Sequence, residues 1–368
     1  MFIVVVVYTF ANLIVIPPVL IGGIISDVYG RKLLILTSTF LYAIGFTLLL
    51  LENVWAVTFS SVIIILAGAL IFAPLSALLG ESVSEDKVAF TFSLFRCLSA
   101  IGGSVGSLII GYLSTYLGVK EVVIACVIAT YLSLTLRSQL RETGLKHSNV
   151  KIKEQLLNSL KHVGSTFKLQ RYIKVLALAI VVVSIGNGVF SLYFPLSLTS
   201  YAKLSDIEIG LIFAAADITS IVAFTFVGFF VDKLGWLKSI TVALSTEAAT
   251  IFALSITPNL ISSKISLLVM VTCLYILLSI FSSLDQVSGD KMLISITHKE
   301  TRGIMIASLG CLSLFPKAFS PILGSAILTA GYHATLISSS ILYAAGSVLM
   351  LLLWRIMYGI EGGFRRFG

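Results

Sequence analysis

The sequence predicts an all-α integral membrane protein built as a bundle of two pseudo-symmetric halves, and three observations carry that prediction. Of its 368 residues 58% are hydrophobic and only 11% charged, with a mean hydropathy of +1.05, whereas roughly a quarter of a soluble globular domain is charged. Apolar runs long enough to cross about 30 Å of hydrocarbon at about 1.5 Å per residue follow one another along the whole chain. A polar turn, Gly23-Ile24-Ile25-Ser26-Asp27-Val28-Tyr29-Gly30-Arg31-Lys32, returns 205 residues later in degraded form from Gly228 through Asp232 and Gly235 to Lys238. A repeated turn between apolar spans implies a repeated fold.

The first span, near residues 2–25, leads straight into the turn without a basic start or a small-residue cleavage site, so it is not a cleaved signal peptide. Spans near 33–51, 55–79, 89–114 and 121–138 complete a first transmembrane half, residues 1–138. Residues 139–172 form a basic cytoplasmic linker carrying Arg141, Lys146, Lys151, Lys153, Lys161, Lys168 and Arg171. Within it Ile152, Leu156, Leu157, Leu160 and Val163 fall on one helical face, as expected of an amphipathic helix lying on an anionic leaflet; docking of another protein is the alternative. Six spans near 173–198, 208–231, 239–257, 265–289, 303–329 and 334–355 make the second half, residues 173–357. Residues 358–368, with Arg365 and Arg366, close the chain as a short cytoplasmic tail.

The net charge of +8 is spread over short turns and does not cluster on a soluble face, which argues for membrane orientation and against nucleic acid. With the first turn placed in the cytoplasm, 20 of the 25 Lys and Arg residues lie inside and only Lys120, Lys203 and Lys264 outside. Arg96 and Lys317 fall within spans. The cysteines Cys97, Cys126, Cys273 and Cys311 lie in apolar runs with no C-x-x-C spacing and read as packing residues, not metal ligands or a disulfide framework. Trp55, Tyr112, Tyr201 and Trp354, near span ends, read as interface anchors.

The turn suits a hinge between helices. Gly23 lets helices approach, Gly30 takes a positive φ at a helix end, and Asp27 accepts from a helix N-terminus or an arginine. The G-x-x-x-D-x-x-G-R-K pattern, present twice, resembles the cytoplasmic signature loop of the major facilitator superfamily of secondary transporters, which joins the second and third helices of each six-helix half. The resemblance implies twelve spans, against eleven here, and places the absent one before Met1. A gene start set too far downstream is the preferred explanation, beside a fragment or a chain that lacks the helix. It also implies a charge network of Asp27, Arg31 and Glu81 in the first half, with Lys32 closing the turn. In the second half it implies a weaker network of Asp232, Lys233, Lys238 and Asp290, where Trp236 stands in place of the family's arginine. Val28 likewise replaces an arginine common among relatives. Gly102, Gly103, Gly106 and Gly111, and Pro321 with Gly324 in the repeat, resemble the family's glycine-rich fifth helix and its counterpart; plain helix packing explains them equally well.

Ionisable groups at membrane depth are functional candidates, since each costs at least about 2.5 kcal/mol unless paired or wet. Arg96, Asp217 and Lys317 lie on helices that border the central cavity in the family's architecture. Asp217 paired with Lys317 or Arg96 is the expected switchable pair, able to take up a proton and free a base for an anionic substrate; a fixed structural pair between halves is the alternative. Glu247 is expected to be peripheral and structural, and Asp285 to lie near the inner interface outside the cavity. Asn187 between two glycines, Tyr193 on the same helix and Gln286 are the uncharged candidates.

No P-loop, H-E-x-x-H or G-x-S-x-G occurs, so ATP-driven transport and intramembrane metalloproteolysis lose their required parts. The expectation is a non-enzymatic monomer in the cell membrane, without cofactor or metal, moving a small-molecule substrate by alternating access among membrane lipids and taking protons as coupling ion. An organic anion or sugar-like metabolite is favoured. Proton-driven efflux of drugs or metabolites is one alternative, and a non-transporting sensor or scaffold of the same fold is another.

Overall fold

The computed structural model describes residues 2–116, 118–143, 171–297 and 302–359. The amphipathic helix expected at residues 152–163 and the basic tail beyond residue 359 lie outside them, as do His147, His162 and His298. The described chain forms α1 (Phe2–Tyr29), α2 (Arg31–Leu49), α3 (Val54–Glu81), α4 (Val88–Tyr116) and α5 (Val119–Ser138), then α6 (Arg171–Ser200), α7 (Asp206–Leu234), α8 (Trp236–Leu260), α9 (Lys264–Ser295), α10 (Arg302–Ile327) and α11 (Tyr332–Gly359). Among the described residues ten helices are long and apolar enough to cross a membrane, and α1 contributes a shorter apolar stretch, Leu13–Tyr29.

The two turns read as repeats are the tightest α-helix junctions among the described residues. A single glycine separates α1 from α2 and α7 from α8: Gly30 at φ 99° and Gly235 at φ 85°. Both lie in the left-handed region that a Cβ disfavours, which lets each chain reverse without a loop. Elsewhere the starts are capped. Asn53 accepts from the Ala56 amide at 2.8 Å, and Ser205 with Glu208 forms a capping box on α7, satisfying amides that the first turn of a helix leaves open.

The second half has its own core. Leu176, Phe194, Ile212, Leu244, Ile251, Leu278 and Leu353 are buried together, and the Phe194 ring stacks on Tyr275 with centroids 4.9 Å apart. A second core lies across the contact between halves, where Ala69, Ala73 and Ala77 of α3 meet Val19 of α1, Phe92 of α4 and Ile306 and Ala307 of α10. The halves meet chiefly through two crossings, α1 on α10 and α4 on α7. By the repeat these are one contact seen twice.

One packing expectation fails. A Cβ added to Gly102, Gly103 or Gly106 would meet nothing within 4 Å, because among the described residues no helix presses on that stretch of α4. The matching Gly324 of α10 lies hard against the Tyr193 ring, whose hydroxyl donates to the Pro321 carbonyl at 2.8 Å. Tyr193 therefore ties α6 to α10 and is a packing residue.

Candidate functional site: a two-fold seal and two cavities

The repeated aspartates do the same thing on opposite sides of the bundle. Asp27, in the last turn of α1, reaches across to the start of α10, where its Oδ1 accepts from the Gly303 amide at 3.0 Å and its Oδ2 from the Ile304 amide at 2.8 Å. Asp232, in the last turn of α7, reaches the start of α4, accepting from the Ala89 amide at 3.2 Å and the Phe90 amide at 2.9 Å. In each case a carboxylate of one half occupies the positive N-terminus of a helix in the other, filling the first free amides after the helix start. The two halves are latched to each other twice by one device.

Around Asp27 the network is dense and buried. Arg31, with a side chain 2% exposed, donates to Asp27, to Ser26 Oγ at 3.2 Å and to Glu81 at 3.2 Å. Glu81 is shared with Arg302 of α10, 3.5 Å away, and accepts from Thr143 at 2.8 Å. Two members were not legible beforehand. Arg302 stood outside every motif, and Glu142, in the segment after α5, accepts from the Arg31 and Lys32 amides at 2.7 and 3.1 Å, capping α2. Lys32 enters this site through its backbone.

The second network differs from the expected one. Lys233 and Lys238 are exposed, and the base beside Asp232 is Lys291 of α9 at 2.7 Å. Neighbouring positions on a helix point about 100° apart, so Lys233 leaves the interface that Asp232 faces. Asp290 does not join Asp232 at all.

Asp290 instead holds Arg96. The guanidinium donates through Nε and Nη2 to the two carboxylate oxygens at 2.6 and 3.1 Å and through Nη1 to Gln286 Oε1 at 2.8 Å. This forked pair joins α4 to α9 across the halves, and it corrects the expectation that Asp217 would be the partner of Arg96. Asp217 and Lys317 make no ion pair among the described residues. Charge reversal tests the forked pair: Arg96→Asp alone and Asp290→Arg alone are each expected to lower unfolding free energy in detergent by about 1–2 kcal/mol. The double exchange should recover at least half of that loss, and a double variant no better than the singles would contradict the pairing.

Close approach at both crossings is built on glycine. A Cβ on Gly23 would lie 2.5 Å from Ala307 Cβ and from the Gly303 carbonyl oxygen, and one on Gly228 2.6 Å from Phe90 Cα and 2.8 Å from the Ala89 carbonyl oxygen. These glycines allow the aspartates to reach amides on the facing helix.

Two cavities lie deeper. The first, about 240 Å³, is lined by Phe72 of α3, by Ile180, Val183 and Ser184 of α6, by Leu309 and Ser313 of α10, and by Asp285, Gln286 and Asp290 of α9. The second, about 190 Å³, lies within the second half and is lined by Asn187, Asp217, Ser220, Glu247, Tyr275, Ser279, Ser282 and Tyr343. Asp285 and Glu247 therefore face cavities, which corrects both earlier placements. The helical rise alone gave their depth but not the direction in which they point. Asn187 donates to the Tyr343 hydroxyl at 3.2 Å. Lys317 lines neither cavity; its carbonyl lies at the α6–α10 crossing, where a Cβ on Gly188 would meet it at 3.1 Å.

The family model described as Major Facilitator Superfamily matches residues 2–273 and 176–359. No curated protein matches the sequence. Among solved structures, the human organic anion transporter MFSD10 (TETRAN) is 13% identical with a TM-score of 0.77, over 94% of this chain and 83% of that one. A bacterial homologue of the iron transporter ferroportin in an outward-facing state is 12% identical, TM-score 0.70, over 94% and 89%. The proton:xylose symporter XylE bound to 6-bromo-6-deoxy-D-glucose is 15% identical, TM-score 0.72, over 94% and 84%. At such identities the likeness is one of fold.

Proposed function

We propose that this chain, which belongs to the major facilitator superfamily, is a secondary transporter that moves a small solute by alternating access between its two halves. The observation that carries this reading is the pair of matched latches, Asp27 on the α10 amides and Asp232 on the α4 amides. Both lie on the signature-turn side, and both are made of contacts that water can replace when the halves part. A rigid scaffold needs no such exchangeable seal. Cytoplasmic placement of that side follows from the charge distribution of the turns.

Arg96, one of the two bases expected at the cavity, is already held by Asp290, and Asp285 and Glu247 stand in the cavity walls, which turns the balance of charge away from an anion. The first cavity offers mostly apolar walls with Asp285, Gln286, Ser184 and Ser313 as hydrogen-bonding groups and Asp290 already paired with Arg96, a composition suited to an uncharged, sugar-like metabolite. Of the two solute classes favoured by sequence, the sugar-like one fits better. The test is uptake into proteoliposomes of a panel of labelled monosaccharides and monocarboxylates. A monosaccharide accumulated by the wild type, at a rate reduced at least about tenfold in Asp285→Asn, supports the reading. Accumulation of carboxylates alone would overturn the substrate class, and no uptake of any solute under imposed ion gradients would favour a sensor.

A further inference from the structure

The second cavity stands apart from the contact between the halves. It is closed in by α6, α7, α8, α9 and α11, all from the second half, and two carboxylates from different helices line it, Asp217 of α7 and Glu247 of α8. Among the described residues no Lys, Arg or His lines it. Glu247 is 3% exposed, and its Oε2 is buried without a hydrogen-bond partner among the described residues. Asp217, by contrast, is exposed, so the cavity runs from an accessible acid to a sequestered one.

An unpartnered carboxylate oxygen in an apolar bundle is a costly feature that a fold removes unless something neutralises it. The surrounding atoms indicate what would do so. Ser220 and Ser279 share a hydrogen bond at 2.5 Å, and Ser279 donates onward to the Ala216 carbonyl at 2.9 Å, so Ser220 is the donor between them and both oxygens keep acceptor capacity. The Tyr343 hydroxyl accepts from Asn187, and Tyr275 adds a second phenol. All these donors are hard oxygens, and no cysteine or histidine stands among them, which excludes soft and borderline metals. Among the described residues no three acidic, histidine or cysteine side chains converge as a metal site, so the cavity lacks the larger set of charged oxygens typical of an all-protein calcium cage.

We propose that this cavity binds a small, hard monovalent cation such as Na⁺, drawn in past the accessible Asp217 and held beside the sequestered Glu247, with the Ser220, Ser279 and Tyr343 oxygens of the same cavity as its neutral ligands. The site would give the transporter a coupling ion bound away from the solute cavity. It does not depend on the transport reading, because ion occupancy can be measured at equilibrium without a solute.

The experiment is a thermal-stability titration of the full chain in detergent, with NaCl replacing choline chloride at constant ionic strength, followed by equilibrium binding of ²²Na⁺. The wild type is expected to show a saturable Na⁺-dependent rise in melting temperature, absent with choline, and a matching bound-ion stoichiometry near one. Glu247→Gln is expected to weaken Na⁺ binding by at least about tenfold, and Asp217→Asn similarly. Lys120→Gln, on the exposed surface of α5 in the first half, should leave it unchanged. A wild-type protein indifferent to Na⁺ overturns the proposal, as does full Na⁺ binding in both variants. A response to pH with no response to Na⁺ also overturns it and makes the two acids proton carriers.

Discussion

In the Asp27→Ala variant, the closed state of the signature-turn side is expected to lose about 3 kcal/mol relative to the open one, a shift of more than about a hundredfold in their ratio. Two amides at the start of α10 lose a charged acceptor, and Arg31, almost fully buried, loses the first of its two acids. When the halves separate, water satisfies all of these groups, so the loss falls on the closed state alone. The matched Asp232→Ala variant should move the same balance in the same direction but less far, because Asp232 and Lys291 keep 13% and 12% side-chain exposure and are already partly hydrated. The rate of alkylation of a cysteine placed at Ile304, 1% exposed in the closed arrangement, reports the change. An unchanged rate in the Asp27 variant would mean that the latch does not hold the halves.

The second large effect comes from sterics. Gly23→Val puts branched carbons where Ala307 Cβ and the Gly303 carbonyl oxygen already stand, and a carbonyl on a facing helix cannot step aside as a flexible side chain can. Overpacking of this kind costs about 1–3 kcal/mol if the structure yields. Here the cheaper response is to keep α1 and α10 apart. The variant is expected to fold and bind solute but to turn over at least about tenfold more slowly, with the signature-turn side held open. Gly228→Val should repeat the result at the α4–α7 crossing. Gly102→Val is the control, since a Cβ there meets nothing, and it should transport at the wild-type rate. Equal losses at Gly23 and Gly102 would contradict the assignment of the crossings as the moving contact.

What could be read from sequence and what could not divides along a physical line. Span positions were legible because each depends on local hydropathy, and the eleven runs return as eleven helices with ends displaced by a few residues. Gly30 and Gly235 were legible as turn glycines because helix reversal in so few residues leaves few other conformations. Asp27 was identified as a helix-N-terminus acceptor from its residue type, but the helix it serves lies some 276 residues away, a distance no local pattern encodes. The exchange of partners is the instructive failure. Asp290 was grouped with Asp232 by counting from the turn, yet it binds Arg96, and Lys291 beside it binds Asp232. One step along α9 turns a side chain from one neighbour to another, so a pairing argument good to a few residues cannot choose. Glu247 failed for a related reason. It lies on a helix expected at the periphery, and only the packing of α8 against α9 and α11 shows that its inner face looks into a cavity.

The most direct test of alternating access measures both ends of the bundle at once. In a background with the four native cysteines replaced, spin labels at Tyr29 and Ser295, exposed on the signature-turn side of different halves, report that end. Labels at Glu52 and Lys203, exposed at the opposite end, report the other. The account predicts opposite changes on adding a transported solute and in the Asp27→Ala variant: a population with a longer Tyr29–Ser295 distance and, in the same samples, a shorter Glu52–Lys203 distance. Distances at both ends that stay fixed under solute and under Asp27→Ala alike would contradict it, and would leave the two latches as permanent struts of a static bundle.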